Sequence, residues 1–80
     1  MLMKFPNDVR KQKVIKCFSN LGFELVREGN HIIMQRTNED GTITPLVMPN
    51  HNTINSGTLR AIITQIGLSR DEFLDALIKS

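Results

Sequence analysis

The chain has 80 residues, 40% hydrophobic and 22% charged, with a formal net charge of +2. That length accommodates one domain over residues 1–80, with a core from about Asp8 to Ile78, and the composition argues against disorder. A lone cysteine, Cys17, excludes an internal disulfide and a cysteine-based metal site, and no apolar run approaches the roughly 20 residues that span a bilayer.

The segment Met1–Pro6 has no signal-peptide apolar core, so a reduced, cytoplasmic setting with no membrane partner is expected. Charge is unevenly spread. Up to Arg27 there are six basic residues (Lys4, Arg10, Lys11, Lys13, Lys16, Arg27) against two acidic ones (Asp8, Glu24). The remainder carries four basic and six acidic residues. The first third is the electropositive end, which favours a polyanionic partner.

Asn7 or Asp8 can cap a helix running to about Leu21. Val14, Cys17, Phe18 and Leu21 fall at i, i+3, i+4 and i+7, one helical face, with Ile15 widening it and Arg10, Lys13 and Lys16 outside it. Gly22 suits a left-handed residue at the helix end. Phe23–Arg27 reads as a strand with Phe23 and Leu25 on one face and Glu24 on the other. Glu28-Gly29-Asn30 reads as a tight reversal, because glycine and asparagine tolerate positive φ. His31–Arg36 is a second strand, with Ile32 and Met34 assigned to the core. Asn38-Glu39-Asp40-Gly41 ends in the Asp-Gly hairpin signal. Thr42–Met48 is a third strand, and Pro45 marks it as an edge or a bulged strand.

Pro49–Ile54 reads as a polar loop carrying His51. Asn55 or Ser56 then caps a second helix with Leu59, Ile62, Ile63 and Ile66 on one face, ended by Gly67. Ser69-Arg70-Asp71-Glu72 is a capping box for a short third helix, with Leu68 and Phe73 as its hydrophobic staple. Phe73, Leu74, Leu77 and Ile78 are its expected buried side. The fold class is therefore α+β: helix, three-stranded antiparallel meander, helix, short helix. One face of such a sheet packs under the helices.

His31 is the most telling candidate for chemistry. It follows a short turn at the head of a strand, where a side chain is exposed and held by the ladder. Imidazole titrates near pH 6.5 and so serves as acid or base at neutral pH. On RNA it can take the 2′-hydroxyl proton for in-line attack on the adjacent phosphate, or protonate the leaving 5′-oxygen. Arg27 and Arg36, near the same hairpin, are candidates to stabilise the developing charge. By itself a turn histidine is most often idle, because catalysis needs special geometry. His51 is a candidate phosphate contact or second acid/base. The two histidines form no recognisable zinc pattern. There is no phosphate-cradling GxxxxGK[ST], no GxGxxG and no Ser or Cys nucleophile motif. The strands lack the aromatic residues of a base-stacking platform.

Three stretches in order resemble a known family. Gly22-Phe23-Glu24-Leu25-Val26-Arg27-Glu28-Gly29-Asn30-His31 is similar to the hairpin of HicA-type mRNA interferase toxins. Gly57-Thr58-Leu59-Arg60 and Gln65-Ile66-Gly67-Leu68-Ser69-Arg70-Asp71-Glu72-Phe73 are similar to that family's second helix and its continuation. The resemblance spans about Lys11 to Leu77. It implies a double-stranded-RNA-binding-domain-like fold and cofactor-free, metal-independent cleavage of mRNA by one essential histidine, which maps onto His31. It also implies a HicB-type antitoxin partner. Gly29 and Asn30 take the role of shaping the turn before that histidine. The family most often has serine at the place of Asn30 and frequently a second histidine at the place of Ile32, so His31 acts alone or with Arg27, Arg36 or His51. The expected RNA-binding surface comprises Arg10, Lys13, Lys16, Arg27 and Arg36, with His51 and Arg60. The alternatives are a non-catalytic RNA-binding module of the same fold and a protein adaptor pairing through its edge strand. Arg60 alone near the start of the second helix, in place of a lysine-rich grip, argues against the RNA-binding module.

Overall fold

The computed structural model describes residues 4–80; Met1, Leu2 and Met3 of the N-terminal segment lie outside it. Its elements in order are β1 (Asp8–Arg10), α1 (Lys11–Asn20), β2 (Glu24–Glu28), β3 (His31–Thr37), β4 (Ile43–Pro49), β5 (Thr53–Asn55), α2 (Ser56–Gln65) and α3 (Arg70–Ile78). Strands β2, β3 and β4 form the antiparallel meander in that order. The helices cover one of its faces, giving the α+β, α-β-β-β-α arrangement of a double-stranded-RNA-binding-domain-like fold.

Two segments depart from expectation. Asp8–Arg10 is a strand, not the first helical turn, and pairs antiparallel with Thr53–Asn55, which is not loop. Val9 faces Ile54 in this ribbon and both are buried, so the pairing extends the core beyond the meander. Three-residue strands are too short to show a period in sequence. The helix consequently begins at Lys11. Arg10 is its extended N-cap residue and contributes no side-chain cap. Instead the Lys11 amide donates to the Asn52 carbonyl at 3.0 Å.

The core is aliphatic with a phenylalanine spine. Val14, Cys17 and Phe18 of α1 meet Ile32 and Met34 of β3, Leu46 and Met48 of β4, Leu59, Ile62, Ile63 and Ile66 of the α2 region, and Phe73, Leu74 and Leu77 of α3. Phe18 and Phe73 have ring centroids 5.7 Å apart, and Phe23 stands edge-on to Phe18 at 5.9 Å. Leu21 and Leu68 pack partly buried against this cluster. On α3 the buried side includes Ala76, whereas Ile78, expected inside, is 65% exposed in the last turn. Leu25 is also exposed, on β2, an edge strand of the sheet.

Local signals act where expected at the helix ends. The Asn55 side chain accepts from the Thr58 amide at 2.8 Å. Ser69 and Glu72 form the reciprocal capping box. Gly22 and Gly67 end α1 and α2 with φ of 96° and 74°, where an L side chain is strained. The β2–β3 turn is different: neither Gly29 nor Asn30 has a positive φ. It is closed by a backbone hydrogen bond of its own and tied by contacts to other segments, described below. Pro45 lies on β4, the other edge of the sheet, where a residue without an N–H costs no ladder bond.

Candidate functional site

The β3 alternation sends Ile32 and Met34 into the core and His31, Ile33 and Gln35 to the open face of the sheet. His31 opens the strand and is exposed. Its carbonyl accepts from the Gly29 amide at 3.0 Å, which closes the turn. Its imidazole has no hydrogen-bond partner among the described residues. The ring is therefore free to meet a substrate atom.

Arg27 comes to the same face as this ring because of an irregularity in β2. Glu24 and Leu25 pair with Gln35 and Met34, but Arg27 and Glu28 pair with Ile33 and Ile32. An unbroken ladder sets Arg27 against Ile32, on the core face. The bulge at Val26 shifts the register by one residue and turns Arg27 to the face of Ile33 and His31. Arg27, Asn30, His31 and Ile33 line one shallow cleft. The Arg27 guanidinium folds over Gly29: a Cβ built there lies 3.4 Å from its Nε. It too has no ion-pair or hydrogen-bond partner among the described residues. An imidazole and an unpaired cation thus share one wall of the cleft.

Arg36, the other suggested helper, is not brought to His31. It is five residues along β3, about 17 Å at the ordinary strand rise, and an odd separation puts it on the opposite face. Its guanidinium lies 4.9 Å from the Phe23 ring centroid, and its Nε donates to Asn38 Oδ1 at 3.2 Å. Arg60 is likewise remote in role, lying 5.0 Å over the Phe5 ring. Lys13 and Lys16 are exposed on α1, in the helical layer and not on the open sheet face. Arg10 lines a separate polar cleft with Gln12, Asn52 and Thr53. The expected basic residues therefore do not form one surface around His31.

His51 is closer in topology. His31 pairs with Pro49 across the β3–β4 ladder, and His51 follows two residues later in the exposed connection to β5. Its neighbour Asn50 donates from Nδ2 to the Gly29 carbonyl at 2.8 Å. Asn50 Oδ1 accepts from Lys11 Nζ at 2.7 Å, and Lys11 Nζ also pairs with a Glu28 carboxylate oxygen at 3.6 Å. No sequence motif announces Lys11, Asn50 or Glu28, because their contacts join residues 17 to 39 positions apart.

Among the described residues, no group of three His, Cys, Asp or Glu side chains is placed to hold a metal ion. No helix of the described residues is long and apolar enough to cross a membrane.

Comparison with known proteins agrees with the family named from the motifs. The family model described as the HicA toxin of bacterial toxin–antitoxin systems matches residues 12–68, from α1 through the stop of α2. No curated protein and no solved structure gives a significant match. The matched span includes the whole meander, the β2–β3 turn and both histidines, and covers well over half of the sequence. The chain belongs to the HicA toxin family of bacterial toxin–antitoxin systems.

Proposed function

We propose that this toxin is an endoribonuclease acting on mRNA, with His31 as general acid/base and Arg27 stabilising charge on the phosphate. The observation that carries the reading is an exposed, unpartnered imidazole at the head of β3 sharing a cleft with an unpaired guanidinium. The imidazole takes the proton of a ribose 2′-hydroxyl, the 2′-oxygen attacks phosphorus to form a 2′,3′-cyclic phosphate, and the P–O5′ bond breaks as the 5′-oxygen takes a proton from the imidazolium or from water. Negative charge builds on the non-bridging oxygens as the attack proceeds, where a guanidinium donates hydrogen bonds best. No metal ion has a part in this scheme. The whole chain acts as one domain in the cytoplasm. Arg10, Lys13, Lys16, Arg36, Arg60 and His51 supply longer-range phosphate attraction, and a HicB-type antitoxin is the partner that restrains the activity.

The deciding experiment incubates purified protein with single-stranded RNA in the presence of a chelator, wild type beside His31→Ala. Cleavage by the wild type and a loss of about 10²- to 10⁴-fold in the variant is the expected result. Equal cleavage by both removes His31 from the mechanism. Binding without cleavage by the wild type leaves the non-catalytic RNA-binding module.

A further inference from the structure

We propose that Lys11 and Asn50 are positioning residues, a clamp that fixes the turn presenting His31 and the loop bearing His51 in one frame. The inference rests on His31 acting on RNA as above.

The β2–β3 turn is closed by the Gly29 amide donating to the His31 carbonyl at 3.0 Å, without a left-handed conformation at Gly29 or Asn30. Contacts from two other segments tie this closed turn to the rest of the fold. Asn50 donates to the Gly29 carbonyl at 2.8 Å, two residues before His31. The orientation of that amide is dictated by its partners. A backbone carbonyl only accepts and a lysine ammonium only donates, so Nδ2 must face Gly29 and Oδ1 must face Lys11. Lys11 Nζ meets Oδ1 at 2.7 Å and reaches Glu28, the residue before Gly29, at 3.6 Å. The Lys11 backbone amide holds the Asn52 carbonyl at 3.0 Å. The loop with His51 is thus gripped on both sides, at Asn50 and Asn52, by the first residue of α1.

Each contact alone is modest. Together they join three segments distant in sequence at the end of the sheet where both histidines stand. Lys11 and Asn50 are partly buried, so the contacts are shielded in part from water. Neither has to touch RNA. Their effect on the reaction is through where His31 points, and a displacement of about 1 Å at a reacting group can cost about 10²-fold in rate.

The test compares wild type, Asn50→Asp, Asn50→Ala, Lys11→Met and Lys11→Arg by steady-state RNA cleavage, thermal melting and ¹H–¹⁵N spectra. Asn50→Asp keeps an acceptor for Lys11 but sets a carboxylate oxygen against the Gly29 carbonyl. The expected result is a kcat at least about tenfold lower in Asn50→Asp and Asn50→Ala, with KM within about twofold. Lys11→Met should follow them, and Lys11→Arg should retain most of the rate. The spectra should stay dispersed while the Gly29, Asn30 and His31 amide signals move. An unchanged kcat, or a KM rising in step with a fall in melting temperature, overturns the clamp. If Asn50→Ala fails to fold, Lys11→Met decides from the other partner. A wild type that does not cleave RNA overturns the functional reading instead. In that case amide signals of Gly29 to His31 that shift in Asn50→Ala uphold the clamp, and unmoved signals overturn it.

Discussion

Arg27 is paired with Ile33, one position off the register that Leu25 and Met34 set in the same pair of strands. The extra residue, Val26, is 54% exposed on the bulged strand. Its cost is a missed ladder pairing on an edge strand, and its effect is to carry a cation from the core face to the face of His31. Bulges commonly re-aim side chains in this way beside active sites.

Arg27 and Arg36 should therefore differ sharply. Arg27→Ala is expected to lower kcat for RNA cleavage by about 10- to 100-fold, as for loss of one charge-stabilising donor. Arg36→Ala should leave kcat nearly unchanged and cost about 0.5–1 kcal/mol of stability, since it loses its seat over Phe23. Urea denaturation and single-turnover kinetics on the two variants check both halves.

Ile32, the position at which the resemblance suggested a second histidine, is completely buried. Ile32→His should not add activity, because position 32 faces the core while His31 faces outward. Placing an imidazole among Met34, Met48 and their neighbours with no partner should destabilise the fold by about 2 kcal/mol or more. A variant as stable as the wild type, or more active, contradicts this placement.

The two side-chain caps offer a test of the helical frame apart from function. Asn55→Ala removes the acceptor for the Thr58 amide and Ser69→Ala breaks the capping box. Each is expected to cost about 1 kcal/mol, which lowers the melting temperature by about 4–8 °C in a domain of this size. Cleavage rates measured well below the transition should not change.

Cys17 is fully buried, and burial pushes its thiol up to about 11, partly offset by a Ser80 hydrogen bond and the Lys13 charge. Iodoacetamide at pH 8 should therefore label the native chain slowly and the unfolded chain fast. The unfolded chain gives up the thiol proton first, near the ordinary value of about 8.5. The stability contributed by this group is thus complete below that value and drains away as pH rises toward about 11. Cys17→Ala should abolish that component of the alkaline loss, as followed by denaturant titration across this range.

Much of the frame is legible in the sequence for a physical reason: it is local. The i, i+3, i+4, i+7 faces of α1 and α2, the Asn55 and Ser69 caps, the glycine stops and the Ile32–Met34 alternation depend only on near neighbours and a fixed period. His31 could likewise be placed at the head of a strand from the turn before it. The ribbon of β1 with β5 escaped because three residues show no period, and the exposed Leu25 and Ile78 escaped because apolar character alone does not say which face a neighbour covers. What tertiary structure alone decided is the company His31 keeps. Register is a property of two strands meeting, so the shift at Val26 that delivers Arg27 and the distance that removes Arg36 are absent from either segment by itself. The Lys11–Asn50–Gly29 contacts join residues 39 and 21 positions apart, and such contacts exist only once the chain has brought α1, the β2–β3 turn and the loop after β4 to one end of the sheet.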